Sequence, residues 1–370
     1  MNPMLSISRR TRSTPFTSRV AACGVQAYTV YNHTLLPTIF RGMEADYWHL
    51  CEHVQVWDVA CERQVEIRGA DAQHLVQLMT PRDLSCTHLG QCLYVPLCNS
   101  RGMIVNDPIA IKYHDNHWWL SIADSDVMLW AQGLATGFGL QVDICEPDVW
   151  PLAVQGPKAE QLMVRVFGDR IRKIRFFNYQ TFNYRGKEMV VARSGWSKQG
   201  GFEIYVNDAR LGGQLWDELF ETGEDLNVGP GCPNLIERIE SGLLSLGNDI
   251  GYDTTPLECG MDKYVSLNAE INSLSIDALR QHRPTQRLMG LVSRQQVNLI
   301  DLQLYSGEQG VGEIRSHVWS PRYQAHLGFV LCDAPALQSQ VELQVKTSTG
   351  PVAVQLAELP YDFGQLGLVS

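Results

Sequence analysis

Long apolar runs are missing from this chain, and so is an excess of positive charge. No window approaches the ~20 consecutive apolar residues that a membrane-crossing helix needs. The first thirty residues hold no continuous apolar stretch, so no secretory leader is expected. Lys and Arg number 30 against 40 Asp and Glu, a formal net charge of −10, and the only basic cluster is Arg9-Arg10-Thr11-Arg12. Nucleic-acid binding normally calls for a basic stripe, so that class of partner is set aside, and a membrane with it. The ten cysteines stand at 23, 51, 61, 86, 92, 98, 145, 232, 259 and 332. None forms a C-x-x-C pair and none is spaced from His as a zinc site requires. They read as reduced, small core residues, and a cytoplasmic location is expected. What is present is ordinary: 45% hydrophobic and 19% charged residues over 370 positions, enough for two or three domains with a large core.

One segment repeats. IRGADAQHL (67–75) and VQGPKAEQL (154–162) share the pattern apolar-x-Gly-x-x-Ala-x-x-Leu. Each follows a β-rich run, turns at a glycine and continues as an amphipathic stretch, which predicts a strand, a tight corner and a helix. Downstream of the first lie the strand-like runs QCLYVP, MIVNDPIAIKY and HWWLSI, then the helical SDVMLWAQGLA. Downstream of the second lie RFFNYQTFNY, KEMVVARS and FEIYV, then DARLGGQLWDELF. Two such units imply a duplicated α+β module of ferredoxin-like type, with a site where the halves meet. Residues 236–261 read as a helix followed by a turn-rich loop. Beyond Pro284 the short runs RLMGLV, LIDLQLY, HLGFVLC, VELQVKT and VAVQLAEL alternate with Gly, Ser and Asn turns, the texture of a small antiparallel barrel. The expected layout is an N-terminal segment packing on the site (1–60), a first α+β half (61–150), a second half with a helix-loop extension (151–280) and a C-terminal β-barrel (281–370).

Four blocks in order resemble the glycine-cleavage T-protein, or aminomethyltransferase, superfamily. NSRGMIVNDPIAIKY (99–113) is similar to its N-x-x-G-G-x-x-D-D segment, and GWSKQGGFEIY (195–205) to its G-Y-T-G-E-x-G-Y-E-I motif. RIESGLLSLGNDI with TTPLECGM (238–261) resembles R-L-E-A-G-M-x-L-Y-G-x-D-I and T-P-x-E-A-G-L. YSGEQGVGEIRSHVWSP (305–321) matches the C-terminal G-x-x-V-G-x-V-T-S-G-x-x-S-P. Within that superfamily RRTRSTPFTSRV, AYTVYNHTLLP, HVQVWDVACERQVEIRG and VARSGWSKQGGFEIY look very similar to the dimethylsulfoniopropionate demethylase branch. The resemblance implies a folate-binding fold and a methyl transfer from a sulfonium to N5 of tetrahydrofolate, leaving 3-(methylthio)propionate and 5-methyltetrahydrofolate. Tetrahydrofolate is then the methyl-accepting co-substrate, and the reaction calls for no metal. Departures from the aminomethyltransferase pattern, Gly102-Met103 for its Gly-Gly, Asn106-Asp107 for its acidic pair and Asn234 for an arginine, count against lipoyl-aminomethyl transfer. Arg238 keeps a second family arginine.

On this resemblance Glu203 takes the position of the pterin-binding carboxylate, which accepts two ring N–H groups. A surface strand glutamate is the plain alternative. Asp107 takes the position beside folate N5, where it would orient N5 and receive its proton, with Asn106 as substitute. Tyr94 and Tyr205 are further candidates for the folate. A sulfonium has no N–H to donate, so aromatic faces suit it. Trp196 stands in a polar Gly/Ser loop, where a large apolar ring asks for an explanation. Tyr31 and Phe176 are weaker candidates, since most aromatic rings simply pack a core. Ser121, Arg193, Lys198 and the Arg9–Arg12 cluster are open choices for the substrate carboxylate. Two rivals remain on sequence grounds. One is methyl or aminomethyl transfer from a betaine or methylated glycine. The other is a non-catalytic folate-binding iron–sulfur assembly protein, whose K-G-C-Y-x-G-Q-E motif has a cysteine this chain lacks. A homodimer is left open.

Overall fold

A computed structural model of the chain describes residues 8–338 and 342–368. Contacts divide these into two compact units. One takes the described parts of Met1–Leu75, Thr87–Tyr94 and Pro108–Asn234, the other Val76–Cys86, Val95–Asp107 and the described parts of Leu235–Ser370. The stretch 61–150 contributes residues to both units.

The duplication is visible in the strand order. The first half runs strand Gln64–Arg68, helix Ala72–Met79, strands Cys92–Tyr94, Ile109–His114 and His117–Ser121, helix Val127–Phe138 and strand Asp143–Cys145. The second runs Trp150–Gln155, helix Ala159–Phe167, Tyr179–Tyr184, Lys187–Ala192 and Gly201–Val206, helix Ala209–Thr222 and Val228–Pro230. Across the first sheet the order is 92–94, 109–114, 117–121, 64–68, 143–145. Across the second it is 179–184, 187–192, 201–206, 150–155, then an inserted strand Val54–Asp58, then 228–230. Apart from the insertion the two orders are the same, and each contains the ferredoxin-like arrangement with one further strand at an edge. The inserted strand pairs antiparallel with 150–155 (Ala153 opposite Trp57) and parallel with 228–230. By sequence position it lies in the N-terminal segment 1–60.

Both corner glycines do what the repeat requires. Gly69 has φ +130 and Gly156 φ +119, a region that penalises any Cβ. A methyl at Gly69 would lie 2.3 Å from the Gln141 carbonyl oxygen, and one at Gly156 2.4 Å from that of His53. In each case the helix then starts with the alanine N–H bonded to the glycine carbonyl, at 3.0 Å.

One face of the second sheet carries Val56, Leu152, Val154, Val191, Phe202 and Ile204 and packs under its helices, against Leu162, Met163, Leu215 and Leu219. Its other face meets the first sheet, where Cys92, Ile111 and Trp119 pack on Val190, Ala192 and Tyr205. The two sheets also join at an edge, Cys92 N–H to Phe177 O at 2.9 Å and Tyr179 N–H to Gly90 O at 2.8 Å. The central strands 150–155 and 201–206 are therefore buried on both sides, which explains their largely apolar texture.

The second unit is built on a closed six-stranded antiparallel barrel, ordered 286–293, 325–333, 309–320, 299–306, 343–347, 350–357. Leu291, Leu304, Ile314, Val330 and Val345 fill it. Its longest strand, Gln309–Ser320, was not among the expected runs. Gly310 and Gly312 dilute its pattern and a bulge between Ile314 and Ser316 shifts its phase, although a Cβ at Gly312 would sit 2.9 Å from Leu331 O. Within the same unit helix Leu235–Ser241 buries Arg238, whose guanidinium donates to Asp249 and to Ser316, both at 2.7 Å. Asp249 also accepts from the Ser245 N–H, so this buried pair is well satisfied.

Candidate active site

Strand register assembles a row of five side chains on the face where the two sheets meet. Tyr179 stands opposite Ala192, Ala192 opposite Glu203, Glu203 opposite Ala153 and Ala153 opposite Trp57. Residues directly opposite in antiparallel strands share a face. Glu203 thus projects between two alanines, the smallest side chains that keep a strand regular. It is 6% exposed, and its hydrogen-bond partner is the Ser194 hydroxyl. A carboxylate can accept about four hydrogen bonds. Burial pushes the Glu203 carboxyl above the usual range, and Ser194 only partly offsets this.

The first sheet answers with a row of its own: Gln64 opposite Ser121, Ser121 opposite Ile109, Ile109 opposite Tyr94. Ser121 accepts from the Gln64 amide at 2.8 Å and hydrogen-bonds with Tyr205, two residues along from Glu203. Tyr205 is 1% exposed, and burial, then the Glu203 carboxyl, pushes its phenol far above the ordinary range. Trp119, two residues from Ser121 on the same face, lies 6.3 Å from the Tyr205 ring. Its indole N–H donates to buried Glu66 at 2.7 Å, which also receives His117. Glu203, Tyr205, Ser121 and, by strand alternation, Tyr94 are therefore gathered where the sheets face each other.

Trp196 is half-buried in the loop joining 187–192 to 201–206. Gln155, fully buried, shapes that loop: its amide nitrogen donates to Ser194 O at 3.1 Å, and its oxygen accepts from Ser197 at 2.8 Å. A Cβ on Gly195 would lie 2.0 Å from the same nitrogen. The loop is wrapped around one glutamine. Tyr31 ends a hairpin strand, half-buried, just before a two-residue turn at Asn32 and His33, with φ of 46 and 63. Asn32 donates to Cys61 O and Ala123 O at 2.9 and 3.1 Å, which docks the hairpin tip just beyond Ser121.

Two expected ligand residues are not brought to this face. Arg193 follows Ala192 by one position, so alternation turns it to the helix side, where it pairs with Glu160 at 3.0 Å and lies over Phe202. In the turn before 179–184, Phe177 takes φ +55 and joins the inter-sheet cluster, while Phe176 is 71% exposed. Asp107 belongs to the second unit, half-buried after the strand Ile104–Asn106, its N–H donating to the Asn106 side chain at 3.0 Å. Lys198 is exposed, and Arg12 is engaged with Glu146. Among the described residues no three His, Cys, Asp or Glu side chains gather as a metal would need. Among the described residues no helix is long and apolar enough to cross a membrane.

Sequence reading missed Gln155, Trp119 and the flanking alanines. Trp119 was within reach, because alternation in HWWLS sets it on the face of Ser121. The alanines and Gln155 gain their meaning only from neighbouring strands.

Residues 16–269 match the GCVT N-terminal domain. Over 353 residues the chain is 47% identical to the dimethylsulfoniopropionate demethylase DmdA of Ruegeria pomeroyi, a span covering 94% of this chain and 97% of that one. It is 28% identical over 324 residues to an aminomethyltransferase of Alkaliphilus metalliredigens, covering 84% and 87%. Among solved structures, the glycine cleavage system aminomethyltransferase T of Bartonella henselae shares the fold with a TM-score of 0.83 at 20% identity, over 94% of this chain and 97% of that one.

Proposed function

Because the chain belongs to the GCVT N-terminal domain family, we propose that it is a tetrahydrofolate-dependent demethylase acting on dimethylsulfoniopropionate. The identity to the Ruegeria demethylase, running over nearly the whole of both chains, supports this substrate. The observation that carries the folate reading is Glu203, a buried carboxyl set between two alanines with one serine for company. Its spare acceptor sites suit the N–H edge of a pterin, and the charge strengthens each bond where water is excluded.

The N5 lone pair attacks a methyl carbon of the sulfonium, the C–S bond breaks, and its electrons stay on sulfur. 3-(Methylthio)propionate leaves, and N5, briefly cationic, gives up its proton to yield 5-methyltetrahydrofolate. The family motif, in which Asp107 takes the place beside N5, makes it the candidate to orient N5 and take that proton. Trp196 offers the sulfonium a ring face worth ~0.5–2 kcal/mol. Ser121 and Tyr31 line the substrate side, and Tyr94 and Tyr205 the folate side. An alkyl transfer of this kind draws most of its rate from in-line positioning and a dry site.

The test is direct. Purified protein is incubated with tetrahydrofolate and either dimethylsulfoniopropionate or glycine betaine, and 5-methyltetrahydrofolate is followed together with 3-(methylthio)propionate. Both products should appear in equal amounts from the sulfonium. Turnover of the betaine without the sulfonium would overturn the substrate.

A further inference from the structure

Three glutamines are buried among the described residues, Gln55, Gln64 and Gln155, and each is held by its amide nitrogen. In Gln55 that nitrogen donates to Asp46 O while the oxygen accepts from the Trp57 indole, both at 2.9 Å. In Gln155 the oxygen accepts from Ser197. Gln64 differs. Its nitrogen donates to Glu62 O at 2.9 Å and to the Ser121 hydroxyl oxygen at 2.8 Å, yet no hydrogen-bond donor among the described residues reaches its oxygen. Turning the amide over would not relieve this, because a peptide carbonyl only accepts and so fixes the nitrogen on Glu62. Gln64 is 1% exposed, and a buried acceptor without a donor is costly for a folded chain.

The place of that oxygen narrows what would answer it. Gln64 stands opposite Ser121 in the register, on the face that carries Ser121 to Tyr205. The two polar atoms of one amide lie about 2 Å apart, which keeps the Gln64 oxygen within about 5 Å of the Ser121 hydroxyl. The charge nearby is negative. The Glu62 carboxylate lies 3.4 Å from Ser121, and after burial and the Glu203 carboxyl it also pushes the Tyr205 phenol up. Arg63, between Glu62 and Gln64 in sequence, is committed to Glu146.

We infer that the Gln64 carbonyl oxygen meets the positive charge of the substrate, which makes Gln64 a specificity-determining residue for a sulfonium over a neutral group of the same shape. The inference rests on the substrate reading above and deepens it. Carbons bonded to a sulfonium sulfur share its charge, and their polarised C–H groups are donors to a carbonyl oxygen. A propionate arm spans about 5 Å from sulfur to carboxylate oxygen, so Ser121 reaches the carboxylate while Gln64 faces the sulfonium. The Gln64 nitrogen fills an acceptor site of Ser121 and leaves the serine proton for that carboxylate. Once the methyl group has gone the sulfur is neutral and the contact lapses. Gln64 therefore acts on substrate binding and product release and not on the transfer itself.

The experiment measures, by calorimetry without tetrahydrofolate, the dissociation constants of dimethylsulfoniopropionate and of 4-methylpentanoate, its uncharged isostere. Two C–H···O contacts predict that the preference for the sulfonium falls about five- to thirtyfold in Gln64→Met. KM for the sulfonium should rise by a similar factor with kcat little changed. Gln64→Glu places an oxygen there whether or not it is protonated, and should keep or raise the preference. An unchanged ratio in Gln64→Met, an equal loss for both ligands, or a ratio that collapses in Gln64→Glu overturns the inference while the sulfonium is still demethylated. An unmodified enzyme that neither binds nor demethylates the sulfonium removes the substrate reading and the inference with it.

Discussion

A carboxyl group walled in by two alanines and given one hydroxyl to lean on works against the stability of the ligand-free protein. The folded-state pKa of Glu203 is raised above its unfolded value of 4.5 by burial. The folded state therefore holds that proton more tightly than the unfolded state does. Stability falls as pH climbs from the unfolded pKa to the folded one, and the full penalty persists above both. Replacing Glu203 with Gln keeps the shape and removes the charge. Glu203→Gln should then be more stable than the unmodified protein at pH 8, with the gap closing toward pH 4–5, as read by denaturant titration at several pH values. The same change should weaken tetrahydrofolate binding roughly ten- to a hundredfold in calorimetry, since a charged hydrogen bond is worth about 1.5–3 kcal/mol. A variant less stable at pH 8 than its parent would mean that the charge is already well compensated. The contrast within the chain is Asp249, equally buried, whose oxygens meet Arg238, Ser316 and the Ser245 N–H. One acid is held for structure and the other is left with spare capacity.

Between strand and helix, the corner glycines carry a comparable specificity. Gly156→Ala puts a methyl group 2.4 Å from a carbonyl oxygen at a φ that side chains rarely adopt, so the backbone must shift. It should cost about 1–3 kcal/mol by denaturant titration, with Gly69→Ala similar, whereas Gly133→Ala in the open middle of helix Val127–Phe138 should be neutral or stabilising. Those corners were legible because a repeated pattern marks them twice. Most strands were legible as well, from apolar runs. The alternation in FEIY placed Glu203 opposite Phe202 and Ile204, yet it could not say whether Glu203 faced water or a second sheet, because one strand does not report what covers it. Arg193 shows the same limit in reverse. Its chemistry fits a carboxylate, but its place one residue after Ala192 commits it to the helix face and Glu160. The inserted strand 54–58 was hidden by its distance in sequence from its partners.

For the molecule as a whole, burial decides the behaviour of the ten thiols. Six are buried, three half-buried and one, Cys86, is exposed. Burial pushes the thiols of Cys259 and Cys332 up to about 12 and about 11, and those of Cys61, Cys92, Cys98 and Cys232 further or as far. A chromogenic disulfide reagent at pH 8 should titrate one thiol quickly in the native protein and all ten in guanidinium. Several fast thiols in the native state would contradict this burial. The strand 54–58 carries a consequence of another kind. It sits between 150–155 and 228–230, so the second sheet is stitched together from the early and the late parts of the unit. During synthesis this strand leaves the ribosome long before either neighbour exists, and must wait as an apolar segment with open edges. The nascent chain is therefore most vulnerable to sticking while its middle is being translated, and cutting away the first sixty residues would remove an interior strand from the sheet that carries Glu203.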